Sequence, residues 1–229
     1  MPREDTVRTR KSLLDAACEI FAQKGYRDTT IAEISKLADT NIASVNYHFA
    51  NKETLYTEAW RCAFHESLKA HPPDGGVSDN APVEERFRAH VKATIGRLAD
   101  KNNREFWFVQ REFANPTGLL EEVMRKEINP LQKKTEGLVR ELLGPLVSDT
   151  DVKFCEISVI SQCFNPMVAG SKIPGKNTQK IGPPRIKDIK AFTEHVVEFS
   201  LAGIQAVRRR AASKTGHAEK INSQKDKNR

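Results

Sequence analysis

Apolar residues recur at helical spacing along nearly the whole chain, and the interruptions fall at turn and cap residues. Residues 9–24 set Leu13, Ala17, Ile20 and Phe21 at i, i+4, i+7 and i+8, the stripe of an amphipathic helix, and Gly25 follows as its stop. Over 30–38, Ile31, Ile34, Leu37 and Ala38 form a narrow stripe behind a capping box: the Thr30 hydroxyl takes the Glu33 amide, and the Glu33 carboxylate returns to the Thr30 amide. Asp39, Thr40 and Asn41 break the pattern with residues that tolerate turn geometry. A short helix over 41–49 then puts Ile42, Val45 and Phe49 on its buried side and Ala43, Ser44, Asn46 and Tyr47 on the other. Asn51 can cap a longer helix running to about Ala70, with Lys52 at its start.

The loop HPPDGGVSDNAP (71–82) is dense in helix breakers and separates this head from the remainder of the chain. Further helices are expected over 83–101, 104–114, 118–143, 150–169 and 188–208, with Pro130 kinking or dividing the third. No strand-like alternation persists, so the fold class is all-α: a three-helix head and a C-terminal helical bundle. The domains read as 1–50, a connecting helix over 51–70, a helical domain over 71–208 and a tail over 209–229. The last two helices are apolar around most of their circumference: Val152, Phe154, Ile157, Val159, Ile160 and Phe164 on one, Phe192, Val196, Val197, Phe199, Leu201 and Ile204 on the other. A helix apolar on more than one face must bury more than one face, either in a two-sided core or against a partner.

Two short helices joined by a tight turn, the second with a small polar face, have the layout of a helix-turn-helix, in which one helix braces the backbone while the next enters the major groove. Thr9-Arg10, Leu14-Asp15-Ala16-Ala17, Phe21, Gly25-Tyr26, Thr29-Thr30, Ile34, Ala38, Tyr47-His48-Phe49 and Lys52-Glu53 together resemble the TetR family of bacterial transcription regulators. Val45-Asn46-Tyr47-His48-Phe49, with Asn where most members carry tyrosine, resembles the CecR-type subgroup, as does Phe199-Ser200-Leu201-Ala202-Gly203-Ile204. Asp39-Thr40 stands where the family usually has Gly-Val, a departure expected to loosen the turn.

That resemblance implies a sequence-specific DNA-binding regulator, a repressor, bound to a palindromic double-stranded operator as a homodimer and released by a small-molecule effector of unknown class. Thr30, Tyr47, His48 and Lys52 match positions that grip phosphates. Ala43, Ser44 and Asn46, with Asn41 at the head of their helix, fall on the base-reading side. The residues alone leave open that Tyr47 packs on the first helix and that His48 caps the third. By the same resemblance the last two helices pair with their twins, giving Ile160, Phe164, Phe192, Val196, Phe199 and Gly203 as interface candidates. The middle helices would hold the effector pocket, for which His90, Trp107, Arg111, Phe113 and Phe164 are candidates, with core packing as the alternative for each aromatic.

Charge changes this picture less than its total suggests. The net charge is +7, but residues 1–60 hold 8 Lys/Arg against 9 Asp/Glu, while residues 205–229 hold 8 against 2. The basicity belongs mainly to the tail, which lacks apolar residues able to build a core and is expected to be disordered. A sequence-indifferent DNA-binding protein acting through that tail is therefore an alternative. Four scattered cysteines and six histidines show no ligand or pairing spacing, so no metal, cofactor or disulfide is expected. No apolar run reaches the ~18 residues of a membrane span, and the start MPREDTVRTR has no signal-peptide core, which reads as cytoplasmic with no membrane partner.

An enzyme reading rests on Gly170-Ser171-Lys172-Ile173-Pro174-Gly175-Lys176, which matches seven positions of a P-loop. Asn177 replaces the hydroxyl residue that would meet magnesium, and no strand precedes it, so a nucleotide-binding enzyme is disfavoured. The surrounding basic loop, 172–187, is long enough to be functional.

Overall fold

The computed structural model describes residues 4–170 and 186–227, apart from the side chains of 165–170 and 214–227. The described residues form nine helices and no strand: α1 Glu4–Lys24, α2 Ile31–Leu37, α3 Ile42–Phe49, α4 Lys52–Ala70, α5 Val83–Ala99, α6 Arg104–Ala114, α7 Glu121–Leu143, α8 Asp149–Gly170 and α9 Ile189–Lys227. None is long and apolar enough to cross a membrane. The P-loop lookalike and the basic loop fall almost wholly at 171–185, outside the described residues.

Two elements differ from the periodicity reading. Pro130 lies inside α7 and does not divide it, the helix continuing as one element from Glu121 to Leu143. The helix α9 runs on through 209–227, where no fixed structure is expected. Ala, Lys, Arg, Glu and Gln dominate that stretch, and they are strong helix formers.

The chain forms two compact units: Met1–Ala70 with Asp100–Pro130, and His71–Ala99 with Leu131–Arg229. The sequence reading keeps 71–208 together, whereas α6 and the first part of α7 pack with the N-terminal unit. Aromatic burial accounts for this. Phe108 of α6 is fully buried, its ring 6.2 Å from Phe21 and 5.5 Å from Tyr56, and Phe21 meets Tyr56 edge-on at 4.9 Å. Burying one such side chain contributes about 2–3 kcal/mol. Polar contacts fix the docking: the Tyr56 hydroxyl donates to Glu112 at 3.1 Å, and Arg111 donates to the Gln23 carbonyl.

The second unit has its own core, with Phe87, Val91 and Ile95 of α5, Val139 and Leu142 of α7, Val152 and Val159 of α8, and Val196, Val197, Leu201 and Ile204 of α9. His90 is buried there: its Nδ1 meets the Pro73 carbonyl and its Nε2 the Thr135 hydroxyl, both at 2.8 Å. Burial holds its pKa below the usual histidine value. It is a satisfied core histidine.

Candidate nucleic-acid interface

The recognition element is built from caps because it is too short to hold itself. Isolated helices of seven or eight residues are unstable in water, and α2 and α3 have seven and eight. Thr30 and Glu33 close the capping box on α2: the Glu33 amide donates to the Thr30 hydroxyl at 3.2 Å, and the Thr30 amide donates to Glu33 at 2.9 Å. Lys24 of α1 reaches Glu33 at 2.6 Å. These groups hold the Glu33 carboxyl down at about 2, the lysine contributing most.

The turn is formed despite the missing glycine. Asp39 takes φ +52°, the left-handed region, and the Thr40 and Asp39 amides donate to the Ser35 and Lys36 carbonyls at 2.9 and 3.3 Å. This crossed pair is the usual helix C-terminal closure, in which glycine is preferred and a short polar side chain is tolerated. Asn41 then caps α3, its Oδ1 accepting from the Ser44 amide at 2.9 Å and the Ser44 hydroxyl at 3.0 Å.

Val45 and Phe49 are fully buried and fasten α3 to the head. Ile42 corrects the expected buried face: it is 53% exposed, because the first helical residue here points outward with Ala43, Asn46 and Tyr47. The signal that could have found it is the i, i+4 spacing of Ile42 with Asn46. Tyr47 is 78% exposed, which decides against packing on α1. Its ring meets His48, half-buried, edge-on at 4.9 Å. Asn41 and Thr30 are exposed, and Ser44 is half-buried.

The junction from α3 to α4 carries strain. Ala50 has φ +62°, and the Asn51 amide donates to the Phe49 carbonyl at 2.7 Å, a γ-turn of the rarer positive-φ kind. Asn51 caps α4 through the Thr54 amide at 2.8 Å, and Lys52 begins the helix. The Lys52 ammonium lies 4.3 Å from the Tyr26 ring centroid, and the Tyr26 hydroxyl donates to Glu53 at 2.6 Å. Burial lowers the Lys52 pKa, and burial with the Glu53 bond raises Tyr26 to about 12. The Arg10 guanidinium lies 4.8 Å from the Phe49 ring centroid and pairs with Glu58 at 2.7 Å, tying α1 to both α3 and α4. The result is a short rod, braced from behind, whose outward face is one tyrosine among small polar and apolar groups beside a helix amino end with a lysine. Such a face fits a groove lined by phosphates.

The remaining candidate residues scatter. Trp107 and Arg111 line a cavity of about 1080 Å³ in the N-terminal unit, with Asp15, Glu19, Glu66 and Arg104 among its walls. Phe113 does not line it and is 82% exposed, Phe164 lies on the exposed side of α8, and His90 is core. Of the five expected pocket residues, Trp107 and Arg111 alone line this cavity. Of the interface candidates, Val196 is corrected: it is fully buried in its own core. Ile160 and Phe192 are half-buried. Phe199 is 62% exposed and Gly203 faces open space. Phe154 and Ile157, 63% and 52% exposed, join Phe164 on the outer side of α8.

A capped helix-turn-helix with an outward second helix defines the class. Comparisons place the chain within it. The model for bacterial regulatory proteins of the tetR family matches residues 13–59, and that for the C-terminal domain of the HTH-type transcriptional dual regulator CecR matches 83–204, more than half of the chain. The protein belongs to the TetR family, with a CecR-type C-terminal domain. It is 33% identical over 58 residues to the HTH-type transcriptional regulator AcrR of Shigella flexneri, covering 25% of this chain and 27% of that one. It is 34% identical over 55 residues to the biofilm operon icaADBC negative regulator IcaR of Staphylococcus aureus, covering 24% and 30%. The chain thus matches about a quarter to a third of the length of these curated relatives. The crystal structure of AibR in complex with isovaleryl coenzyme A and operator DNA shares the fold, with TM-score 0.59 and 18% identity over 83% of this chain and 97% of that one.

Proposed function

We propose that this protein is a repressor that binds a palindromic operator as a homodimer, inserting one α3 per half-site, and is released by a small-molecule effector. The observation that carries the reading is the outward face of α3, where Ile42, Ala43, Asn46 and Tyr47 are all exposed; Tyr47 would reach phosphate and the other three the base edges. An exposed isoleucine suits a thymine methyl, and an asparagine can pair with adenine. Tyr47, Thr30, His48 and Lys52 would hold the backbone and set the register.

Dimerisation rests on the outer sides of α8 and α9. Phe154, Ile157 and Phe164 on one and Phe199 with Gly203 on the other are large apolar groups beside a place where a helix can approach closely. Two heads one helical turn apart, about 34–36 Å, multiply the modest affinity of one short helix. Negative regulation is supported by the description of IcaR as a negative transcriptional regulator, and a small-molecule effector by the AibR complex, which holds isovaleryl coenzyme A as well as operator DNA. An effector that binds more tightly to a dimer with ill-spaced heads would lower operator affinity by about 5–150-fold.

The test is selection of duplexes from a random pool by the purified protein. Enrichment of an inverted repeat, lost with Tyr47→Ala, supports the reading. Retention of every duplex alike, at an affinity that falls when residues 209–229 are removed, would overturn it in favour of binding through the basic tail.

A further inference from the structure

Tyr26 lies in the loop between α1 and α2, half-buried, with the rings of Phe21 and Tyr56 packed on it at 6.4 and 5.1 Å between centroids. The two charged residues that open α4 both meet it. The Lys52 ammonium lies 4.3 Å from the ring centroid, and Glu53 accepts a hydrogen bond from the phenol hydroxyl at 2.6 Å. Core packing accounts for the ring but not for these two contacts. Among the described residues no carboxylate forms an ion pair with Lys52, although the charge of the adjacent Glu53 acts on it. The Glu53 carboxyl is held below its ordinary value by the tyrosine hydroxyl first, with Lys52 contributing least. The partner of Glu53 is the tyrosine, and the lysine is left with an aromatic face.

We propose, on the reading of Lys52 as a phosphate contact, that Tyr26 is a positioning residue for DNA binding. Its ring holds the Lys52 ammonium at the amino end of α4, and its hydroxyl engages the carboxylate that would otherwise pair with that ammonium. Each half has a physical basis. A lysine is a point charge on a flexible stem, and an aromatic face attracts its ammonium electrostatically. Holding it there before DNA arrives removes part of the ordering cost of the contact. A carboxylate free to turn to Lys52 would compete with phosphate for the same N–H donors. The Tyr26 hydroxyl prevents this at neutral pH, because burial and the Glu53 bond raise its pKa to about 12 and it remains a donor.

The experiment measures binding of the full-length protein to a fluorescein-labelled duplex from the enriched pool, over a series of salt concentrations. The variants are Tyr26→Phe, Glu53→Gln, the two combined, Lys52→Ala, and Lys52→Ala with Tyr26→Phe. Tyr26→Phe keeps the ring and its packing and removes only the hydroxyl, so thermal melts should stay close to wild type. It is expected to weaken binding about threefold or more, and adding Glu53→Gln should restore affinity to within about twofold of wild type. Glu53→Gln in the wild-type background should change affinity by less than about twofold. Lys52→Ala should weaken binding and reduce the salt slope by about 0.9, and adding Tyr26→Phe to it should cause no further loss. A purely structural tyrosine would show neither the rescue by Glu53→Gln nor the dependence on Lys52.

Two results overturn the positioning role while leaving the Lys52 contact intact. One is Tyr26→Phe binding as wild type; the other is Glu53→Gln raising affinity by the same factor with and without the hydroxyl. Unchanged affinity and salt slope in Lys52→Ala would instead remove the phosphate contact itself, and the role of Tyr26 with it.

Discussion

Two exposed helical surfaces on this chain show opposite chemistry. The outer side of α3 carries Ala43, Asn46 and Tyr47 with a single isoleucine, while the outer sides of α8 and α9 carry Phe154, Ile157, Phe164 and Phe199. Large apolar groups left in water are a standing cost, relieved when another apolar surface covers them. Small and hydrogen-bonding groups are at ease in water and exchange it for polar partners with little penalty. The first surface is suited to a wet, charged groove, and the second to cover by another apolar surface, which the proposed dimer would supply. A second contrast lies beneath: α3 is held by Val45, Phe49 and side-chain caps, whereas α9 is held by a continuous apolar core.

The largest effect should come from reversing the chemistry of the apolar surface. Phe199→Arg is expected to weaken self-association by about 100-fold or more, a change of at least ~2.7 kcal/mol, read as a shift to monomer mass at micromolar concentration. The adjacent Val196→Ala should behave differently: about 2 kcal/mol of folding stability lost in denaturant melts, with association nearly unchanged. If both variants simply unfold, the distinction between core and seam on α9 breaks down. On the polar surface, Tyr47→Ala should lower affinity for selected duplexes by about tenfold, or ~1.4 kcal/mol, by a similar factor across sequences. Ile42→Ala should instead change which sequences are preferred, as binding to a panel of duplexes would reveal.

Smaller effects sharpen the account of the caps. Asp39→Gly, which removes the left-handed penalty, should raise stability by about 0.5–1 kcal/mol in thermal melts; a loss would mean that the aspartate side chain contributes to the turn. Glu33 supplies the pH test. Its folded pKa lies at about 2, below the unfolded value near ~4.3. Its contribution is therefore present above the unfolded pKa and fades as pH falls toward 2. The melting-temperature gap between wild type and Glu33→Gln should accordingly be wider at pH 7 and close toward pH 2.

Much of this was legible in the residues. The α6 span of Arg104–Ala114 and the start of α5 at Val83 follow from apolar spacing and breakers. The capping box on Thr30 and the Asn41 and Asn51 caps follow from local hydrogen-bonding chemistry. These are short-range effects, settled within a turn or two of helix. What escaped was always a question of which neighbour a residue meets. Ile42 and Val45 are equally apolar, yet only Val45 is buried. Val196 and Phe199 lie one turn apart, yet one is sealed in and the other open. Trp107, Arg111 and Phe113 share a helix with Phe108, but only Phe108 enters the aromatic core.

The sequence by itself determined the helices, their caps, the helix-turn-helix order and the surplus of apolar surface near the C-terminus, because periodicity and capping act over a few residues. Tertiary structure alone decided that α6 packs with the head, that His90 is a satisfied core group and that Cys18 is sealed against the Ala59 carbonyl. Those outcomes depend on which surfaces meet across tens of residues of chain, a choice that no local pattern encodes.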